Sequence, residues 1–178
     1  MSLKVLDPGP LTTVQDAGRT GYAAKGYRVC GAADSYAYRL GNMLIGNTPG
    51  AAVLECTLRG AALQFETDTV FALTGAVSPA ALDGVPVPYY APLFAKAGST
   101  LQMGMASTGL RSYLAVGGGI VLHPAAQGLI GAGAVDIRLP AAQQIQIRPV
   151  DDEKFHTCSL HMAAMTSAAA CAVSSRMA

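Results

Sequence analysis

From Val53 to Thr74 the hydrophobic pattern of this chain has a period of two, carried in runs of only five residues. Val53-Leu54-Glu55-Cys56-Thr57, Ala62-Leu63-Gln64-Phe65-Glu66 and Val70-Phe71-Ala72-Leu73-Thr74 each read as a strand with alternate faces buried. Leu3 to Leu6 and Thr12 to Gln15 are short extended pieces, the first closed by Asp7-Pro8-Gly9-Pro10. Ala81-Leu82-Asp83-Gly84-Val85-Pro86 predicts a tight hairpin, because Asp-Gly accepts the positive φ angles of a type I′ turn. Leu101 to Met105 and Leu110 to Val116 predict a second hairpin, turning near Ser107-Thr108-Gly109, and Gln144 to Arg148 a last strand. One segment departs from this pattern. Asp34 to Ile45 predicts a helix: Asp34 is an N-cap, Ala37, Leu40, Gly41 and Leu44 share a face, and Gly46 or Asn47 can end it in a left-handed turn. Many short strands with a single clear helix define a mainly β (α+β) class, a barrel or a sandwich.

At 178 residues the chain is long enough for an ordinary domain with a real core. Half of its residues are hydrophobic, 13% are charged and the net charge is +1. With no basic run, nucleic acid has no electrostatic footprint to meet. Sparse charge leaves room for a buried partner interface. The four cysteines (Cys30, Cys56, Cys158 and Cys171) are far apart and lack a histidine at metal-finger spacing, so no metal site is expected. Burial is expected for Cys30 and Cys56. Met1-Ser2-Leu3-Lys4 runs straight into a strand-like segment, so no secretory leader and a cytoplasmic location with reduced thiols are expected. The Ala-, Ser- and Met-rich stretch from Thr157 to Ala178 is too interrupted for a membrane span and reads as a frayed helix or a disordered tail. His123, His156 and His161 receive no role.

The segment Thr12-Thr13-Val14-Gln15-Asp16-Ala17-Gly18-Arg19-Thr20-Gly21 places an amide, a carboxylate and a guanidinium within five residues on glycine-pliable backbone. Gly31-Ala32-Ala33-Asp34, Asn42, Ile45-Gly46-Asn47, Leu54-Glu55-Cys56-Thr57, Leu73-Thr74-Gly75-Ala76, Asp83-Gly84 and Arg111-Ser112-Tyr113-Leu114-Ala115-Val116-Gly117-Gly118-Gly119-Ile120 follow in order. In that order and spacing the set resembles the biotin-dependent carboxyltransferase domain family. That family includes the 5-oxoprolinase component also described as allophanate hydrolase subunit 2 or KipI antagonist. The resemblance runs from Val5 to Ile120. It implies a cyclophilin-like β-barrel, half of the usual family architecture. It also implies ligands that are small and cyclic or amide-like: 5-oxoproline, urea, or the ureido ring of biotin.

A site for such ligands needs an amide or carboxylate for the ligand's N–H and C=O, a cation for a carboxylate or oxyanion, and a carboxylate to move a proton. On the resemblance, Gln15 supplies the first, Arg19 the second and Asp16 the third, making Asp16 and Arg19 the catalytic candidates. A salt bridge between those two that merely shapes the loop is an alternative, and both can hold together. Asn42, on the helix near Arg39 and away from the main apolar stripe, braces the loop or lines the pocket. Glu55, if inward, must be paired, and Arg19 or Arg39 would make it a brace; otherwise it faces solvent. Arg111, beside the Gly117-Gly118-Gly119 bend, reaches an anionic ligand or lies on the outer face of its strand. Substrate contacts are thus expected from Gln15, Asn42, Glu55 and Arg111. The three glycines lack the lysine and helix start of a phosphate loop.

Three functional readings follow. The first is part of an ATP-dependent 5-oxoprolinase-type complex or a related carboxyltransferase, whose pocket is shared with a 5-oxoprolinase partner of the KipI type. ATP would then be bound at the level of the complex, and biotin in the carboxyltransferase case. The second is a non-catalytic module docking a KipI-like partner. The third is an inactive truncated product, since the family's Ser-Thr loop and second barrel-like half are not recognisable after Leu122. The expected organisation is a domain over 1–122, a Gly/Ala-rich segment over 123–156 with one possible strand, and a tail over 157–178.

Overall fold

The computed structural model describes residues 2–18, 20–121, 137–138 and 144–148. In chain order the elements are β1 (Ser2–Asp7), β2 (Thr12–Gln15), a 3₁₀ turn (Ala23–Lys25), α1 (Ser35–Leu44), β3 (Val53–Thr57), β4 (Ala62–Phe65), β5 (Thr69–Val77) and β6 (Ala80–Leu82). There follow β7 (Val85–Pro86), β8 (Pro92–Ala95), β9 (Thr100–Met103), β10 (Thr108–Val116), β11 (Ile120–Val121), β12 (Ile137–Arg138) and β13 (Gln144–Ile147). The strands form two antiparallel sheets, ordered β11-β13-β1-β4-β9-β6-β7 and β12-β2-β3-β10-β5-β8. Isolated bridges, Ala52 to Ile120 and Arg59 to Met105, lace the sheets together without closing them. The result is an open barrel of the cyclophilin-like kind, mainly β with one helix.

The main core lies between the sheets. Leu3, Val5, Leu63, Phe65 and Leu101 from one sheet meet Leu54, Cys56, Phe71, Leu73 and Leu114 from the other. Phe65 and Phe71 approach with ring centroids 5.1 Å apart, and each fully buried ring contributes about 1.5–3 kcal/mol of transfer free energy. The second sheet is covered on its outer face by α1, where Ala37, Tyr38 and Ile45 pack on Val53, Val70, Ala72, Tyr113 and Ala115. This two-sided burial overturns the alternation expected of β3 and β5: Val53 to Cys56 and Thr69 to Thr74 are all buried, because α1 covers the face that was expected to meet solvent.

The helix starts where its cap dictates. One Asp34 carboxylate oxygen accepts the Tyr36 and Ala37 N–H groups at 3.0 Å each, which stabilises the helix start by about 1 kcal/mol. Gly46, with φ of 67°, follows its end. Asp83 and Gly84 both have positive φ, as the hairpin turn between β6 and β7 requires.

Several expectations are revised. The strands near 101–105 and 110–116 form no hairpin: β9 pairs with β4 and β6, whereas β10 pairs with β3 and β5 in the other sheet. The chain between them crosses from one sheet to the other, so adjacency in sequence did not become adjacency in register. β8, which has no counterpart among the expected strands, forms the edge beside β5. Asn42 lies on the buried face of α1, 1% exposed, four residues after buried Tyr38. Cys56 is buried as expected, but Cys30 is exposed on left-handed backbone with φ of 54°. β13 matches the expected last strand and inserts between β1 and β11, and β12 extends the other sheet beside β2. The expected tail over 157–178 lies outside the described residues.

Candidate functional site

The site is a row across one sheet. Strand register places Thr13 opposite Glu55, Glu55 opposite Tyr113 and Tyr113 opposite Thr74. Since side chains alternate along a strand, Thr13 and Gln15 on β2, Glu55 on β3, and Arg111 and Tyr113 on β10 share the face that α1 covers. Beyond the start of α1 this face opens into a cavity of ≈ 420 Å³ lined by Leu11, Thr13, Gln15, Gly31, Ala33, Glu55 and Arg111. A volume in this range suits a small ligand.

Glu55 organises the cavity floor. It is 4% exposed and points inward. Its Oε1 lies 3.3 Å from Arg111 Nη1, while its Oε2 accepts the Ala33 N–H at 2.8 Å and the Tyr113 hydroxyl at 2.8 Å. Among the described residues the cation beside it is Arg111 and not Arg39, which is exposed on α1. Arg111 also donates to Thr57 Oγ1, and a third of its side chain remains accessible. It belongs to the early part of β10, away from the glycine bend that follows the strand's other end. Breaking a buried pair of this kind by removing one partner typically costs about 3–5 kcal/mol, reduced here by the exposure of Arg111. Burial, and then the neighbouring Glu55 carboxylate, push the Tyr113 phenol above its usual range.

Gln15 is buried, lines the cavity and donates from Nε2 to Thr13 Oγ1 at 3.1 Å. Its side chain carries both donor and acceptor groups. Asp16 comes next, at the start of the loop that runs to Asp34. Its carboxylate accepts the Gly18 N–H at 2.7 Å, and its carbonyl accepts the Ala32 N–H at 3.0 Å. The loop is pinched at its neck. A methyl on Gly18 would lie 2.6 Å from the Cys30 carbonyl oxygen, and one on Gly31 would lie 2.7 Å from the Gly18 nitrogen. Both residues also have left-handed φ, so only glycine fits either position. Asp16 thus shapes the loop and adjoins the lining residues through Ala32, without lining the cavity itself. Arg19 lies outside the described residues.

Asn42 is placed elsewhere. Its Nδ2 donates to the Ala51 carbonyl at 2.9 Å, and its Oδ1 accepts from Asn47 Nδ2 at 2.9 Å. Asn47 in turn donates to the Val116 carbonyl and accepts the Gly118 N–H, both at 2.8 Å. This pair of asparagines ties the end of α1 to the turn after β10. The amides of that turn are all used: Gly117 donates to Val70, Gly118 to Asn47 and Gly119 to Val116. They leave no free N–H cradle for a phosphate, so this turn does not fit ATP.

Tyr113 and Thr13 were missed in the sequence as site residues. The available signal was the alternation Arg111, Tyr113, Ala115, which puts the phenol on the arginine's face. What was not available was the register that sets Tyr113 opposite Glu55.

Fold and cavity together define a β domain of cyclophilin-like architecture, with a buried carboxylate, a guanidinium and an amide on one sheet face. Residues 25–138 match the family "Carboxyltransferase domain, subdomain A and B", and the chain belongs to that family. The match passes Ile120, where the resemblance was read to stop, and takes in β12, which pairs with β2. The chain is 43% identical over 137 residues to a 5-oxoprolinase subunit of Escherichia coli (strain K12), covering 77% of this chain and 43% of that protein. It is 38% identical over 120 residues to urea amidolyase of Saccharomyces cerevisiae, covering 67% of this chain and 6% of that protein. The crystal structure of Kluyveromyces lactis urea carboxylase superposes with a TM-score of 0.75 at 34% identity, over 83% of this chain and 14% of that one. The chain therefore spans less than half the length of these relatives.

Proposed function

We propose that this chain contributes the amide-recognising half of a pocket in an ATP-dependent 5-oxoprolinase-type or carboxyltransferase complex, acting on a small cyclic amide or urea. The observation that carries this reading is the convergence of Gln15, Glu55 and Arg111 on one cavity. Gln15 supplies a donor and an acceptor to an amide edge. Glu55 accepts from an N–H. Arg111 offers its accessible N–H groups to a carboxylate or to an oxyanion developing at the carbonyl. Opening a lactam adds water across its C–N bond, so the carbonyl carbon gains hydroxide and the nitrogen gains a proton. Asp16, next in sequence to the lining residue Gln15, is assigned the proton transfer once a partner chain completes the pocket, and Arg19 a second cationic contact. The biotin ureido ring presents the same N–H and C=O edge, so Gln15, Glu55 and Arg111 fit it; when bound in its N-carboxylated form, biotin would supply a transferable carboxyl group. ATP is assigned to a partner chain of the KipI type.

The test is co-expression with a candidate partner chain and assay of ATP-dependent glutamate release from 5-oxoproline. Arg111→Ala should lower kcat/KM by about 100-fold, the loss of one preorganised oxyanion or carboxylate donor. Full activity in that variant and in Asp16→Asn would remove both residues from the site. A second reading, a non-catalytic module that docks such a partner, is favoured by exposed Leu58, Met105 and Leu110, which lie on adjoining backbone. Complex formation without turnover would select it.

A further inference from the structure

Tyr113 has no part in the roles assigned above, yet it is fully buried and its hydroxyl stands between the loop and Glu55. A phenol carries one proton. The Asp34 backbone N–H points at the phenol oxygen from 2.7 Å and can only donate, so the hydroxyl's own proton goes to Glu55 Oε2, 2.8 Å away. That same carboxylate oxygen also receives the Ala33 N–H. Two donors, one from β10 and one from the loop ahead of α1, therefore converge on Oε2. The other oxygen, Oε1, is left for Arg111.

We propose that Tyr113 is a positioning residue: with the Ala33 N–H it locks Glu55 by one oxygen, so that Oε1 and Arg111 are held out together toward the cavity. The proposal rests on the reading of the cavity as the ligand site. Its physical content is orientational. A glutamate has three rotatable bonds, and beside a guanidinium it gains by turning both oxygens onto the fork. Anchoring Oε2 with two donors prevents that closure and keeps guanidinium N–H groups available to a ligand. Asp34 links this lock to the helix, because its side chain caps α1 while its own N–H fixes the direction of the Tyr113 hydroxyl.

Tyr113→Phe tests the lock while keeping the ring that fills the core. Amide hydrogen exchange should show Ala33 losing protection by about tenfold, the equivalent of one lost hydrogen bond, with Leu114 in the adjoining strand unchanged. Unchanged Ala33 protection, or equal losses at Ala33 and Leu114, would overturn the proposal. In the unsubstituted protein, the buried Tyr113 hydroxyl proton should show cross-relaxation to the Asp34 and Ala33 amide protons. A hydroxyl rotated away from Glu55, without those contacts, would overturn it independently of how the variant folds. Titration with 5-oxoproline, followed through the Thr13 and Ala33 amides, should then give binding that weakens about tenfold in Tyr113→Phe. If the unsubstituted protein, assembled with its partner, binds no 5-oxoproline while the exchange result holds, the substrate reading fails and the lock on Glu55 stands.

Discussion

A methyl group added at Gly75 should damage both the fold and the site, and the structure separates the two causes. Gly75 lies in β5 with φ of 82°, opposite Ser112 at an irregularity in the pairing with β10. A Cβ there would fall well under 3.0 Å from the Arg111 carbonyl oxygen, 2.9 Å from Tyr113 Cδ2 and 3.3 Å from Ser112 Cα. Holding a non-glycine residue in the left-handed region costs about 1–2 kcal/mol. Overpacking against strand backbone, which cannot rotate away as a flexible side-chain end can, adds about 1–3 kcal/mol. Gly75→Ala should therefore destabilise by about 2–5 kcal/mol, a large part of the about 5–15 kcal/mol available to an ordinary domain. Gly84→Ala is the control for strain alone, since Gly84 has φ of 80° but open space around the added methyl. Gly50→Ala controls for both, having neither positive φ nor a neighbour within 4 Å. Urea unfolding of the three variants, fitted with a common m-value, should rank Gly75 far below Gly84 and Gly84 below Gly50. If Gly75→Ala falls within about 1 kcal/mol of Gly84→Ala, the crowding argument is wrong. Because the strand that must move carries Arg111 and Tyr113, the same variant should bind cavity ligands poorly even where it remains folded.

Asn47→Ala removes the bonds to Asn42, Val116 and Gly118 and should cost about 2–3 kcal/mol in urea unfolding; a loss under about 0.5 kcal/mol would show that the asparagine pair is not a structural tie. In alkaline spectrophotometric titration, Tyr38, pushed up to about 12 by burial and then by Asp16, should ionise after the exposed tyrosines, as should Tyr113, which burial also raises. Because both folded values are raised, their stabilising contribution is complete below the unfolded tyrosine value near 10 and is lost as pH rises through the folded values. Unfolding that begins above about pH 10 and starts later in Tyr38→Phe would agree, whereas an unshifted onset would not. Asp7 is held below its usual value by its hydrogen bond to Arg59 and then by the Gly9 N–H. Its contribution is present above the ordinary carboxylate value and is lost as pH falls through the lowered one, so Asp7→Asn should flatten the acid limb of the stability profile. An acid limb identical to that of the unsubstituted protein would remove the Asp7–Arg59 pair as a cause.

What could be read from the chain alone was whatever neighbouring residues decide among themselves. Asp34 caps its helix through the N–H groups of Tyr36 and Ala37, and Asp83-Gly84 turns its hairpin through its own backbone angles, so both were legible. The alternation that marks β4 and the last strand is likewise local, whereas β3 and β5 are buried on both faces because α1 covers their outer side. The motif set, from the Gln15 loop to the glycine bend, was enough to point to the carboxyltransferase family. Tertiary structure decided the rest, because it turns on which strands lie side by side. β9 and β10 follow one another yet join different sheets. Asn42 faces inward because Ala51 and Asn47 offer it partners that only the folded chain brings near. The acid–guanidinium pair of the cavity is Glu55 with Arg111, residues far apart in sequence that the β3–β10 register brings together. Alternation shows that a side chain has a face; register alone chooses what stands opposite it, and a buried charge is placed by that choice.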